Sequence, residues 1–278
     1  MLVHGAAAAQ AADATDAAEQ VASDKTLGTV VVTAAGFEQE VTQAPASITV
    51  IPREKLEQGA YSNLHDALRD VPGVIMTPSD NNSNDISLRG MGANYTLILV
   101  DGKRMSTRET QTNGSTGTDQ SWVPPLEAIE RIEVVRGPMS SLYGSDAMGG
   151  VINIITRKVP GEWGGEIRMD TTIQESSKSG DIYQGNFYLA GPIKNDLLGL
   201  QIYGQATQRD EDDIVDGFRK RNSESVTAKL ALTPNRDHDI VLEATTMRQK
   251  LHETLGKTVA PLAPGEACSR NGCPASSE

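Results

Sequence analysis

Aromatic residues make up only 4% of this 278-residue chain, and cysteine occurs twice. Each shortage excludes something. With 38% hydrophobic residues and few rings, little is available for a large helical core, whereas 26 glycines suit turns and strands. No apolar stretch approaches the roughly 18 residues of a transmembrane helix. That leaves a β-barrel open, because barrel strands alternate and give a weak hydropathy signal. Positive charge is short as well. A net charge of −12 argues against nucleic acid as a partner, since that binding needs Lys and Arg against phosphates. The length allows one large domain or two ordinary ones.

Catalytic and metal-binding patterns are equally sparse. His4, His65, His238 and His252 are scattered without ligand spacing, and His65 reads as a solvent-facing helix position. No G-x-S-x-G supports a serine hydrolase. Gly144–Gly150 (GSDAMGG) has the glycine spacing of a phosphate loop, but lacks the following Lys-Ser/Thr and leads into a strand. Asp80, Asn82 and Asn84 mimic the start of a calcium loop, yet Asp85 stands where Gly is needed and Met91 where Glu is needed. An enzyme is not expected, nor a resident metal or cofactor. Cys268 and Cys273, in CSRNGC with no accompanying His, fit a local disulfide better than a metal site.

Four sections emerge from what is present. Residues 1–28 are Ala-rich and polar. Ala9-Gln10-Ala11 matches a signal-peptidase site, but the basic n-region and most of the apolar h-region are missing. Either the true start codon lies upstream or a signal peptide has been trimmed, or the stretch is a plain disordered tail. At 29–36 a β-branched run, Thr29-Val30-Val31-Val32-Thr33, precedes Ala34; it reads as a tethered strand awaiting a partner, or as a strand of the next domain's sheet.

Residues 37–160 read as a compact α+β domain. The pattern predicts a strand at Ser47–Ile51, then a helix from Pro52 to Gln58. A second helix is capped by Ser62, carries Leu64, Ala67, Leu68 and Val71 on one face, and ends at Pro72-Gly73. Strands follow at Ile86–Leu88, Thr96–Val100 with a turn at Asp101-Gly102, Arg131–Val135 stopped by Gly137-Pro138, and Val151–Thr156. Thr77–Asp85 and Met105–Ser121 are polar and read as exposed loops.

From 161 to 278 the texture changes to strict alternation. It runs through Gly165–Gln174, Tyr183–Gly191, Leu198–Ala206, Val226–Leu232 and Ile240–Thr246. Each run has about the 9–11 residues of a tilted membrane strand. Ser176–Gly180 and Arg209–Ser223 read as long loops on one side, Pro192–Asp196 and Pro234–Asp237 as short turns on the other. By that parity the chain stops in a third long loop, which holds the cysteine pair. An ordinary soluble sheet would also alternate; charge on every polar face, and no helix to cover the apolar one, tip the reading towards a barrel.

Several phrases together resemble the plug domain of TonB-dependent outer-membrane receptors. They are Ala44–Ile51 (APASITVI), Leu64–Val74 (LHDALRDVPGV), Ile86–Gly92 (ISLRGMG), Leu97–Arg104 (LILVDGKR) and Glu130–Lys158 (ERIEVVRGPMSSLYGSDAMGGVINIITRK). The wording is nearest to the catecholate siderophore and colicin I receptor-like branch. The resemblance implies an α+β plug domain followed by antiparallel strands of an incomplete transmembrane β-barrel. Barrels of this kind have about 22 strands and a filled lumen. Five strands leave an open edge that lipid cannot satisfy, so the chain reads as a fragment or a truncated frame that should not transport alone.

Further expectations follow from the same resemblance. Thr29, Val30, Val31, Val32, Thr33 and Ala34 become a TonB box, pairing with an edge strand of periplasmic TonB. Ligand contact falls to plug loops. A ferric catecholate is anionic with aromatic faces, which makes Arg108 and Trp122 the candidates, with Arg104 behind them. The plain alternatives are a solvent-exposed Arg108 and a Trp122 that packs plug against wall, and for Trp122 packing is the favoured reading. Arg89, Arg131 and Arg136, with Glu130 and Glu133 nearby, are expected to latch the plug against barrel carboxylates. Partners would then be TonB, a ferric siderophore, colicins and outer-membrane lipid, and the location the bacterial outer membrane. Haem or cobalamin as ligand, or a stand-alone binding module, are the alternatives.

Overall fold

The structure, a computed structural model, describes residues 31–32, 39–40, 47–59, 61–78, 84–105, 123–195, 197–235 and 238–260. At the start, β1 (Val31–Val32) pairs antiparallel with β2 (Gln39–Glu40).

The first domain is built on a five-stranded sheet. Its strands are β3 (Ser47–Pro52), β6 (Thr96–Val100), β7 (Lys103–Arg104), β8 (Ile129–Arg136) and β9 (Gly150–Thr156), in the order β3-β8-β9-β6-β7. β6 and β9 run parallel, with Thr96 opposite Gly150, and the remaining pairs are antiparallel. Both faces of the central strands are buried, which explains their continuous apolar character. Ile98, Val100, Ile132, Val134, Ile152 and Ile154 point to one side. Leu97, Leu99, Val135 and Val151 point to the other. Each fully buried Leu or Ile contributes roughly 1.5–3 kcal/mol.

The first face is covered by α1 (Arg53–Gln58), through Leu56, and α2 (Leu64–Leu68), through Leu64, Ala67 and Leu68, with Val71 just beyond. The second is closed by Met139, Tyr143 and Ala147 around the single turn α3 (Ser140–Tyr143). Gly150 has φ +148°, and a Cβ there would sit 2.3 Å from the Val135 carbonyl oxygen. Only glycine lets β9 start so close to β8.

Three local expectations are corrected. The cap of α2 is Asn63, not Ser62. The Asn63 Oδ1 accepts the Asp66 N–H at 2.9 Å, while the Ser62 N–H is taken up by the Asp66 carboxylate at 3.2 Å. His65 is buried rather than solvent-facing, because so short a helix packs most of its circumference. Val74–Pro78 (β4) and Asn84–Leu88 (β5) form a hairpin, so both ends of the expected loop at 77–85 are strand and Asp85 is buried.

After a crossing segment, five strands follow in consecutive antiparallel order: β10 (Gly164–Thr172), β11 (Ile182–Lys194), β12 (Leu198–Arg209), β13 (Lys220–Asn235) and β14 (His238–His252). Most exceed the expected 9–11 residues, with β13 reaching 16. Ladder hydrogen bonds continue to form past the edges of the apolar band, since consecutive strands remain neighbours there. The connections alternate as expected. The β11–β12 and β13–β14 turns are short, whereas 173–181 and 210–219 are long loops at the opposite end. A carboxylate pair knits those loops together. Asp212 accepts N–H groups from Gly180 (2.8 Å) and Phe218 (2.9 Å), and Glu211 accepts the Thr254 N–H and hydroxyl, both at 2.6 Å.

Register assigns two unlike faces to this sheet. One carries Ile167, Met169, Phe187, Leu189, Leu200, Ile202, Val226, Leu230, Ile240 and Leu242; several of these are strongly exposed. The other carries Glu166, Arg168, Gln184, Asn186, Gln201, Gln205, Lys229 and Glu243, and lies against the first domain.

Candidate functional site: the seam between domain and wall

The seam is polar because carbonyls of the first domain outside its strands, at Ser62, Val123 and Arg157, need partners there. Long amides from the wall reach across to them. Gln184 donates to the Ser62 carbonyl, Gln201 to Arg157 and Gln205 to Val123, each at 3.1 Å.

Charged groups supplement these bonds. Arg53 sends Nη1 to the Ile129 carbonyl at 2.9 Å and Nη2 to Glu166 of the wall at 3.3 Å. Lys103 meets Glu243 at 2.6 Å. The buried wall residue Lys229 meets Asp101 at 2.5 Å and Thr156 Oγ1 at 3.0 Å. Arg157, where the chain leaves β9, lies 4.4 Å above the Tyr188 ring.

Glu127, in the 3-10 turn Leu126–Ala128 just ahead of β8, is buried in the same seam. Its Oε2 has no hydrogen-bond partner among the described residues, and Arg168 approaches Oε1 only to 3.9 Å. Burial pushes its carboxyl above the ordinary value. Its own backbone N–H and Arg168 oppose the rise, and Glu166 adds to it.

The residues expected to latch the plug sit elsewhere. Arg136 donates to the Pro72 carbonyl and to Thr49 Oγ1, both at 2.7 Å, and its Nε is buried without a partner among the described residues. Arg89, at φ +53°, brings its guanidinium beside Gly137, and Arg136 packs beside Gly73. The structure thus gathers Arg89 and Arg136 at one end of the sheet. Arg131 pairs within its own strand with fully buried Glu133 at 2.9 Å, and Glu133 also accepts from Asn153 at 3.3 Å. Glu130 is exposed. Partners found for this group lie inside the domain, whereas the cations that reach across the seam are Arg53, Lys103, Arg157, Arg168 and Lys229.

Of the expected ligand contacts, Arg104 binds Asp146 at 3.3 Å and the Tyr143 carbonyl. The Tyr143 hydroxyl is pushed up, first by burial and then by the charge of Glu133. Arg108 and Trp122 lie outside the described residues, as do Cys268, Cys273, Thr29, Val30, Thr33 and Ala34. Val31 and Val32 form β1.

An α+β domain seated on the polar face of an open five-stranded antiparallel wall, with the apolar face turned away, has the arrangement of a plug against part of an outer-membrane barrel. Residues 40–151 match the TonB-dependent receptor plug domain. The first domain is a TonB-dependent receptor plug domain, and the strands after it match part of the barrel of such receptors.

It is 52% identical over 246 residues to the iron-regulated outer membrane virulence protein of Vibrio cholerae, covering 88% of this chain and 37% of that protein. It is 38% identical over 214 residues to the ferrienterobactin receptor of Escherichia coli, covering 73% and 28%. Among solved structures, the siderophore receptor PirA from Acinetobacter baumannii matches with a TM-score of 0.68 at 33% identity, over 77% of this chain and 33% of that one. A mutant of the ferric enterobactin receptor from Pseudomonas aeruginosa, solved with enterobactin, matches with a TM-score of 0.65 at 30% identity, over 75% and 34%. The chain therefore spans between about a quarter and little more than a third of the length of the curated relatives it matches.

Proposed function

We propose that this chain is the plug and first barrel strands of a receptor that imports a ferric siderophore across the outer membrane, with a ferric catecholate as cargo. One observation carries the reading. A plug domain is bonded side chain by side chain to the polar face of strands whose other face is apolar, as a gated lumen requires. The similarity to ferric enterobactin receptors supports the ligand class.

In this reading, 29–36 is the TonB box, 37–160 the plug and 161–278 the start of the barrel. Ligand binds outside, near Arg104, Arg108 and Trp122. TonB draws on Thr29–Ala34 from the periplasm by adding a strand to that run. The two-residue β1–β2 ladder is short enough to be exchanged for such a partner, since an isolated hairpin of that size is marginal in water. Arg89 and Arg136 offer barrel carboxylates a cationic pair at one end of the plug sheet, while Glu130 and Arg131 lie towards the other end of β8, with Glu133 between.

Two measurements test this on the receptor with its complete barrel. Ferric catecholate should bind in preference to hydroxamate and haem panels; preference for haem or cobalamin would replace the cargo but not the machine. Val31→Pro removes an amide donor and should abolish uptake while leaving surface binding intact. Normal uptake by that variant would refute the TonB-box assignment.

A further inference from the structure

We propose that Lys229 is a positioning residue that registers the plug in its barrel by fixing the end at which the chain passes from plug to wall. The inference rests on the receptor reading above. Lys229 stands in the middle of β13 on the plug-facing side and is only 5% exposed. So little of this side chain meets water that the protein must supply the partners of its ammonium. They come from three places: Asp101 Oδ2 at 2.5 Å, Thr156 Oγ1 at 3.0 Å and, more distantly, Glu243 at 3.9 Å on the neighbouring strand. The Tyr203 ring, 5.7 Å away, lies along the same wall face.

What Lys229 grips is itself a junction. Asp101 occupies the β6–β7 turn at φ +48°, followed by Gly102 at φ +75°, as a two-residue hairpin demands. Its carboxylate also accepts the Thr156 N–H and the Thr156 hydroxyl, each at 2.8 Å. Thr156 is the last residue of β9. One step further, the Arg157 carbonyl is held by Gln201 at 3.1 Å. A single cation therefore ties together a plug turn, the end of the last plug strand and the barrel wall.

The polarity matters. The expected latch places arginines on the plug and carboxylates on the wall. Here the deeply buried charge belongs to the wall, and it acts at the end of the plug sheet opposite Arg89 and Arg136: β8 pairs Arg136 with Gly150 at one end and Ile129 with Thr156 at the other. The sheet is thus pinned at its exit, independently of the arginine pair.

The burial is asymmetric, which yields a sharp test. The Lys229 side chain is 6% exposed but that of Asp101 is 30% exposed. Deleting the lysine leaves a carboxylate that water and Thr156 still satisfy; deleting the aspartate charge strands a buried cation. In the receptor with its complete barrel, purified in detergent, hydrogen exchange is followed in 99–104 and 154–157 and, as reference, in 47–50 and 134–136. Lys229→Met should accelerate exchange roughly tenfold at the first pair of segments and leave the reference pair nearly unchanged.

Asp101→Asn, which keeps a residue tolerant of the left-handed turn, should accelerate it more than Lys229→Met. The double variant should fall back to the level of Lys229→Met alone. Unchanged exchange at 99–104 in Lys229→Met, or Asp101→Asn milder than Lys229→Met, or additive effects in the double variant, would each overturn the proposal. Should Lys229→Met fail to assemble, Asp101→Asn decides by itself: faster exchange at 99–104 and 154–157 with the reference segments nearly unchanged supports the proposal, and unchanged exchange at 99–104 overturns it. Absence of ferric-catecholate binding in the unaltered receptor would sink the cargo assignment and leave this result standing.

Discussion

Ile167→Lys tests whether the apolar face of the wall meets lipid. Ile167 is 77% exposed, opposite Phe187 on the side away from the plug. Trp163, whose Nε1 donates to the Pro192 carbonyl, marks the short-turn edge of the band, and Thr171 opposite Tyr183 marks the other. Those marks span eight steps of strand, about 27 Å at the antiparallel rise and roughly 20 Å once tilted. Ile167 lies four steps from each, near the midplane.

A lysine there should cost about 2–4 kcal/mol in a bilayer, roughly 30- to 700-fold in the folding equilibrium. Were the same face in water, an exposed Ile→Lys change would stay within about 0.5 kcal/mol. The assay is denaturant unfolding of the complete receptor refolded into lipid vesicles, reading the midpoint at constant slope. A midpoint shift worth less than about 0.5 kcal/mol would refute the lipid-facing assignment. Arg168, one residue on, already shows that charge is accepted on the opposite face, where it pairs with Asp170 at 2.9 Å.

Two further predictions concern pH. The Glu127 carboxyl is raised on folding, so the stability tied to it is complete below its unfolded value and is lost as pH rises through the folded one. Glu127→Gln should therefore raise the unfolding midpoint at neutral pH and flatten the pH dependence just above the usual carboxylate range; a lowered midpoint would contradict this. Glu211 behaves in the opposite sense. Burial pushes it up, but hydrogen bonds from Thr254 and Thr258, helped by Lys257, bring it below the ordinary carboxylate value. Its bond to the Thr254 amide should persist at neutral pH and be lost only as pH falls through its lowered value, read as faster exchange at that amide; loss already above the ordinary carboxylate range would disprove the knit.

Much of the fold was legible because its signals are local. Alternation located all five wall strands, and Asp101-Gly102 with Gly137-Pro138 marked where plug strands stop. Of the hairpin β4–β5 only Ile86–Leu88 was legible, because polar Thr77 and Asp85 extend its strands into what reads as a loop. Ser62 and Asn63 are both competent caps; which one serves depends on the path of the chain, not on residue type. The seam was the least readable part. Alternation says that Lys229 faces inward, but not that Asp101 waits there, since the two are brought together only by the docking of one domain on the other.

The strand order carries a consequence for how the molecule assembles. Each wall strand pairs with its neighbour in the chain, a local event of the kind that takes about 1–10 µs in isolated hairpins. The plug sheet is the reverse: β3 must wait for β8, and β6 for β9. Such distant pairings are slow to close. The plug cannot be completed until Gly150–Thr156 has been synthesised, immediately before the first wall strand emerges. Until β8 has followed, β3 is an unpaired edge open to wrong partners, the kind of segment that a holding chaperone protects.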